Sequence, residues 1–116
     1  MHQFKDLKVW QDAIDLAVDI YRLTRTLPSE EKFGLISQMN RSVISISSNI
    51  AEGSGRNNPK EFRHFLGIAL ASACELESQL IVSQKLEFIN EEILNIHTKQ
   101  VAFIQNRLAK LIATLS

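Results

Sequence analysis

The residues that break helices are few, and most of them fall together. The 116-residue chain has four glycines and two prolines. Pro28 marks one interruption, and Gly53, Gly55 and Pro59 mark a second. Between these points apolar residues recur at steps of three and four, the period of a helix. Pro28-Ser29-Glu30-Glu31 reads as a stop followed by a start. Ser29 is suited to accept from orphan N–H groups, and two carboxylates suit the positive end of a helix dipole. Around the second break, Asn58 reads as N-cap, Pro59 as the first helical residue and Glu61 as the third. Asn90-Glu91-Glu92 repeats the start signal, with Ile89 and Leu94 spaced as a hydrophobic staple. The spacing predicts helices over residues 7–26, 30–52, 59–85 and 91–115. Residues 42–50 alternate Ile and Ser as a strand does, but no turn signal separates them from the helical pattern on either side. Short connections place neighbours antiparallel. The expected architecture is all-α: one up-down-up-down four-helix bundle over residues 1–116.

The apolar faces are wide. In the first helix Leu7, Trp10, Ile14, Ala17, Tyr21 and Thr24 form one seam. Val9, Ala13, Leu16, Ile20, Leu23 and Leu27 form a second. At roughly 100° per residue the two lie about a quarter turn apart. Together they cover about half the circumference, more than a stripe of about 100° needs. Ile36, Met39, Val43, Ile46 and Ile50 form the seam of the second helix. Residues 66–76 of the third are apolar nearly all round and rich in small side chains. The fourth carries Leu94, His97, Val101, Ile104, Leu108, Leu111 and Leu115. Surplus faces of this kind fit either a thick core covered further by neighbouring helices or burial against other subunits, and the second, a homo-oligomer, is the expectation.

Charge narrows the reading. Thirteen Lys and Arg balance thirteen Asp and Glu, which argues on average against a general polyanion binder. Placed on an antiparallel bundle, the balance is uneven. One end collects Lys5, Lys8, Arg56, Lys60, Arg63, Arg107 and Lys110 against Asp6, Asp12, Glu52 and Glu61, leaving six cations and nine anions elsewhere. The N–H groups that begin the third helix point at that same end, a natural phosphate site. A single cysteine, Cys74, excludes an internal disulfide framework and a Cys-rich zinc site. No uncharged run reaches the about 18 apolar residues of a membrane span. The first residues lack the apolar core of a signal peptide. The expected compartment is the cytoplasm, with no membrane.

Candidate chemistry is sparse. One Glu-x-x-His pair, Glu61 and His64, falls short of the two pairs plus two further Glu of a di-iron bundle. Gly53-Ser54-Gly55-Arg56 lacks the Gly-Lys-Ser/Thr of a phosphate loop and reads as a helix end. Cys74 reads as an inert core residue and His97 as a hydrogen-bonded core histidine. Asn40-Arg41-Ser42 matches a glycosylation acceptor without a secretory context. No catalytic residue, cofactor or metal is assigned. Two polar features stand out instead. Gln38, Ser42, Ser45, Asn49 and Glu52 form a largely uncharged stripe on the second helix, which suits a buried hydrogen-bond network or a subunit contact. Arg41, Glu75 and Glu77 lie in charge-poor surroundings and suit Arg–carboxylate pairing between the second and third helices.

The residues also resemble a known family. Phe4, Leu7, Val9-Trp10-Gln11 and Ala13, then Ile20-Tyr21, Thr24, Pro28 and Glu31, resemble the opening of the small bacterial proteins encoded in 23S rRNA intervening sequences. The run from Gly34 to Ser42 and the run Ser45-Ile46-Ser47-Ser48-Asn49-Ile50-Ala51-Glu52-Gly53 carry the resemblance further. It continues through Arg56, Glu61-Phe62, Phe65-Leu66, Ile68-Ala69, Ser72 and Glu75-Leu76-Glu77. Ser47 stands where the family commonly has Pro, and Ala71 where it commonly has Gly. The resemblance implies a four-helix bundle, a homo-oligomeric ring often of five subunits, and no known enzymatic activity. The architecture is also similar to the accessory variability protein of diversity-generating retroelements, a basic pentamer that binds a reverse transcriptase and nucleic acid.

The expected function is a non-enzymatic homo-oligomeric scaffold that engages RNA or a nucleic-acid-binding protein through its basic end. Lys8, Arg56, Lys60, Arg63, Arg107 and Lys110 are the candidate contacts. The alternative is a protein-interaction module without nucleic acid. A third reading, a bundle enzyme using a metal or small molecule, lacks the ligands.

Overall fold

Two asparagine side chains start two of the helices. In the computed structural model, which describes residues 3–115, Asn58 Oδ1 accepts from the N–H groups of Lys60 at 2.8 Å and Glu61 at 3.2 Å. Asn90 Oδ1 accepts from Ile93 at 2.8 Å. Four α-helices form: α1 (Lys8–Thr24), α2 (Leu35–Ser54), α3 (Pro59–Lys85) and α4 (Glu91–Thr114). No strand occurs among the described residues, and the alternating Ile/Ser segment lies inside α2.

The break between α1 and α2 is longer than its sequence suggests. Ser29–Glu31 forms a separate 3-10 turn, and α2 starts only at Leu35. Ser29 does not cap it; its hydroxyl donates to Glu30 Oε1 at 3.2 Å. Glu31 does that work, its Oε1 accepting from Leu35 N–H at 3.2 Å. Gly34 makes room, since a Cβ there would lie 2.8 Å from the same oxygen. The end of α3 is a Schellman turn. Phe88 N–H donates to Ser83 O and Glu87 N–H to Gln84 O, both at 2.9 Å. Glu87 sits at φ 65° to permit it.

One of the two predicted seams of α1 is the core seam. Val9, Ala13, Leu16, Ile20, Leu23 and Leu27 are buried, with Met39, Val43, Ile46 and Ile50 from α2. Phe62, Leu66, Ala69, Ala73, Leu76 and Leu80 of α3 and Val101, Ile104 and Leu108 of α4 complete the core. The other seam is divided: Ala17 and Thr24 are buried and Leu7 and Trp10 pack against the core, while Ile14 is half-buried and Tyr21 exposed. α2 packs on α1 and α3, while α4 packs on α3 and more lightly on α1. Ser42 meets Glu75 and Ser45 meets Ser72, so numbers rise along α2 as they fall along α3. Asp12 meets Arg107 and Asp19 meets Gln100 in the same opposed sense. The body measures 43 × 23 × 19 Å.

α3 holds no uncharged run of membrane-span length, yet it is strongly apolar overall. Among the described residues it is the one helix long and apolar enough to cross a membrane by length and composition, with a window of mean hydropathy 1.5. Only 33% of that window is buried.

Candidate interaction surfaces

Three features bear on function: a polar seam between α2 and α3, the cations expected to share one end, and two uncovered apolar faces. The polar seam is built by small residues. Ser42 Oγ donates to Glu75 Oε1 at 2.7 Å, and the hydroxyls of Ser45 and Ser72 lie 2.8 Å apart. Asn49 Nδ2 donates to the carbonyl and the hydroxyl of Ser45, at 2.7 and 3.0 Å. Gly53 continues the close approach, because a Cβ there would lie 2.8 Å from Phe65 Cβ and 3.0 Å from Phe62 Cδ1. The remaining residues of the stripe and of the expected Arg–carboxylate pairing go elsewhere. Gln38 and Arg41 are exposed. No ion pair joins Arg41 to a carboxylate among the described residues, which corrects the expected Arg41 link; Ser42 takes Glu75 instead. Glu77 faces α4, accepting from Gln105 Nε2 at 3.0 Å. Glu52 pairs with Arg56.

The cations of the basic end divide in two. Lys8 lies 3.3 Å and Arg107 3.6 Å from Asp12. Arg56 sits 3.5 Å from Glu52 and 3.8 Å from Glu61, over the ring of Phe65. Lys60, Arg63 and Lys110 have no ion pair among the described residues. The phosphate site expected at the start of α3 is already filled. Lys60 and Glu61 N–H go to the Asn58 side chain, Phe62 N–H goes to the Asn58 carbonyl at 3.0 Å, and Pro59 has no N–H. Any anion would meet side chains there, not the helix terminus.

The apolar faces lie on α3 and between α1 and α2. Lys60, Arg63, His64, Gly67, Ile68 and Ala71 line an open hollow of about 520 Å³ on α3. Ile14, Ala17, Val18, Tyr21 and Ile44, flanked by Arg22 and Arg25, line a groove of about 460 Å³. Ile44 and Val18 fall on neither predicted seam, and their exposure was not read from the pattern. Cys74 is exposed, not a core residue, and Gln105 Nε2 points at its sulfur from 3.7 Å. It sits on the side of α3 turned away from the core seam. His97 is half-buried, with Nδ1 2.9 Å from Gln100 Oε1. Gln100 spends its N–H on Asp19 Oδ2 at 2.8 Å, so its oxygen accepts and His97 carries the Nδ1 proton. Glu61 and His64 part company, Glu61 to Arg56 and His64 to the ring of Phe65. Among the described residues no three His, Cys, Asp or Glu side chains gather where they could hold a metal ion.

A model of the 23S rRNA-intervening sequence proteins matches residues 5–110. The chain belongs to that family. It is also similar to a solved structure from Bacteroides thetaiotaomicron, a protein of unknown function from the S23 ribosomal protein family. The two share 30% identity over 90% of this chain and 97% of the other, with a TM-score of 0.84. No curated protein matches the chain. Neither the family's description nor that of the solved relative names an enzymatic activity.

Proposed function

We propose that this protein is a non-enzymatic cytoplasmic scaffold, an up-down-up-down bundle whose copies assemble into a homo-oligomeric ring, with five subunits the number that the family resemblance suggests. The observation that carries this reading is the surface of α3. Its apolar window is only 33% buried within one chain, and Ile68, Ile81 and Val82 stand 37%, 41% and 42% exposed. Apolar surface left uncovered on this scale marks an interaction site. Sedimentation equilibrium or native mass measurement tests it. A monomer at micromolar concentration sinks the reading.

The ring's partner in this proposal is RNA. Lys60, Arg63 and Lys110 support it, since unpaired cations on one end would repeat around one face of a ring. Binding through phosphates weakens steeply with salt. An oligomer that shows no salt-sensitive RNA binding at low ionic strength removes this part of the proposal. The neutralisation of Lys8, Arg56 and Arg107 by carboxylates favours a second reading, a scaffold for protein partners alone. Pull-down after nuclease treatment separates the two, because partners retained without nucleic acid support the second.

A further inference from the structure

The α1–α2 groove and the outer side of α3 complement each other. The groove floor is apolar, and its charges are the two cations Arg22 and Arg25. The exposed residues of α3 from Gly67 to Val82 carry a single charge, the anion Glu75. The two features also share a level along the bundle. Ser42 of α2 bonds Glu75. Two residues earlier on α2, Asn40 Oδ1 accepts from Thr24 Oγ1 of α1 at 3.0 Å. These links set Glu75, across the bundle, at the level of the turn of α1 that bears Arg22 and Arg25. On the same register, with Ser45 opposite Ser72, Ala71 stands within a turn of the levels of Val18 and Ile44, and Ile68 stands near that of Ile14.

Gly67 supplies an independent observation. Glycine inside a helix weakens it, and nothing in the chain lies within 4 Å of where a Gly67 Cβ would be. The single subunit gives this glycine no task. A second helix approaching closely from outside gives it one.

We infer that the outer side of α3, from Gly67 to Val82, docks into the α1–α2 groove of a second copy of this chain, with Glu75 of one copy facing Arg22 and Arg25 of the next. The contact is head-to-tail: each copy offers two different surfaces, and each copy uses both. Rotation about an axis along the bundle preserves levels, so the apolar and charged parts coincide without a shift. The inference rests on the homo-oligomer reading above and specifies its contact.

Two variants at open positions test it. Gly67→Leu adds bulk where the subunit has space, and Ile44→Glu places a charge in the groove at a residue already 42% exposed. Both should keep wild-type helical circular dichroism and lose assembly in sedimentation velocity. Mixed in equal amounts, they should form a 1:1 heterodimer, because one retains an intact groove and the other an intact α3. Glu75→Arg should weaken assembly, and adding Arg22→Glu with Arg25→Glu should restore it. Single variants that keep the wild-type mass overturn the inference, and so does a mixture that stays monomeric. A wild-type protein that is itself monomeric overturns the homo-oligomer reading as well. A wild-type oligomer indifferent to these substitutions overturns this contact alone.

Discussion

Ser42 Oγ donates to Glu75 Oε1 at 2.7 Å and ties the middle of α2 to the middle of α3. Ser42 is 1% exposed, so its hydroxyl has little water to turn to. A hydrogen bond to a charged group contributes about 1.5–3 kcal/mol where both partners are shielded. Glu75 is exposed on its outer side and recovers part of that from solvent. Ser42→Ala is expected to cost about 1–2 kcal/mol in urea denaturation. An unchanged midpoint would show that water replaces the hydroxyl without loss.

Gly53 sets a sign that propensity alone gets wrong. Replacing a helical glycine by alanine ordinarily gains up to about 1 kcal/mol. Here the added methyl would lie 2.8 Å from Phe65 Cβ and 3.3 Å from the Phe62 carbonyl. Overpacking of this kind costs about 1–3 kcal/mol. Gly53→Ala is therefore expected to lower Tm, and a rise would mean that α2 and α3 separate freely.

The turn after α3 offers the opposite result. Glu87 holds φ 65° without the freedom of glycine, and its N–H already serves the Schellman pattern. Relieving that position gains about 1 kcal/mol. Glu87→Gly is expected to raise Tm by several degrees, read by thermal circular dichroism.

RNA binding, if carried by the basic end, should depend on the unpaired cations. Lys60→Glu, Arg63→Glu and Lys110→Glu together are expected to flatten the log–log salt dependence by about 2, taking about 0.7 for each contact with a single strand. Arg56→Glu should do less, because Glu52 and Glu61 already answer its charge. Equal effects per residue in filter binding at several salt concentrations would sink the distinction.

The helix starts at Pro59 and Glu91 were legible because Asn58, Pro59 and Asn90 act locally, through bonds to residues two or three positions on. The start of α2 was not. Ser29 has the chemistry of a cap, but its hydroxyl turns to Glu30, and Glu31 reaches forward to Leu35. Competition between adjacent polar side chains leaves no trace in spacing. Periodicity identified both seams of α1, yet could not say which faces the core. That depends on how α2 and α4 approach, a tertiary matter. Cys74 misled for a related reason: its neighbours in sequence are apolar, while its neighbours in space include solvent. The Ser and Asn stripe was readable as unusual for a solvated face. Its division between Glu75, Ser72 and Ser45, with Arg41 left outside, needed the register of two helices.

The uneven packing of the four helices has a dynamic consequence. α2 and α3 are joined by interlocked small residues and the rings below Gly53. α1 and α4 touch most lightly, with Asp12–Arg107 and Asp19–Gln100 as their polar links. Local opening is cheapest where buried contacts are fewest. The subunit therefore breathes along the α1–α4 edge, like a book with α2 and α3 as its spine. Amide protons of the spine should outlast those at that edge in exchange with deuterium. Water should first reach the core between the first helix and the last.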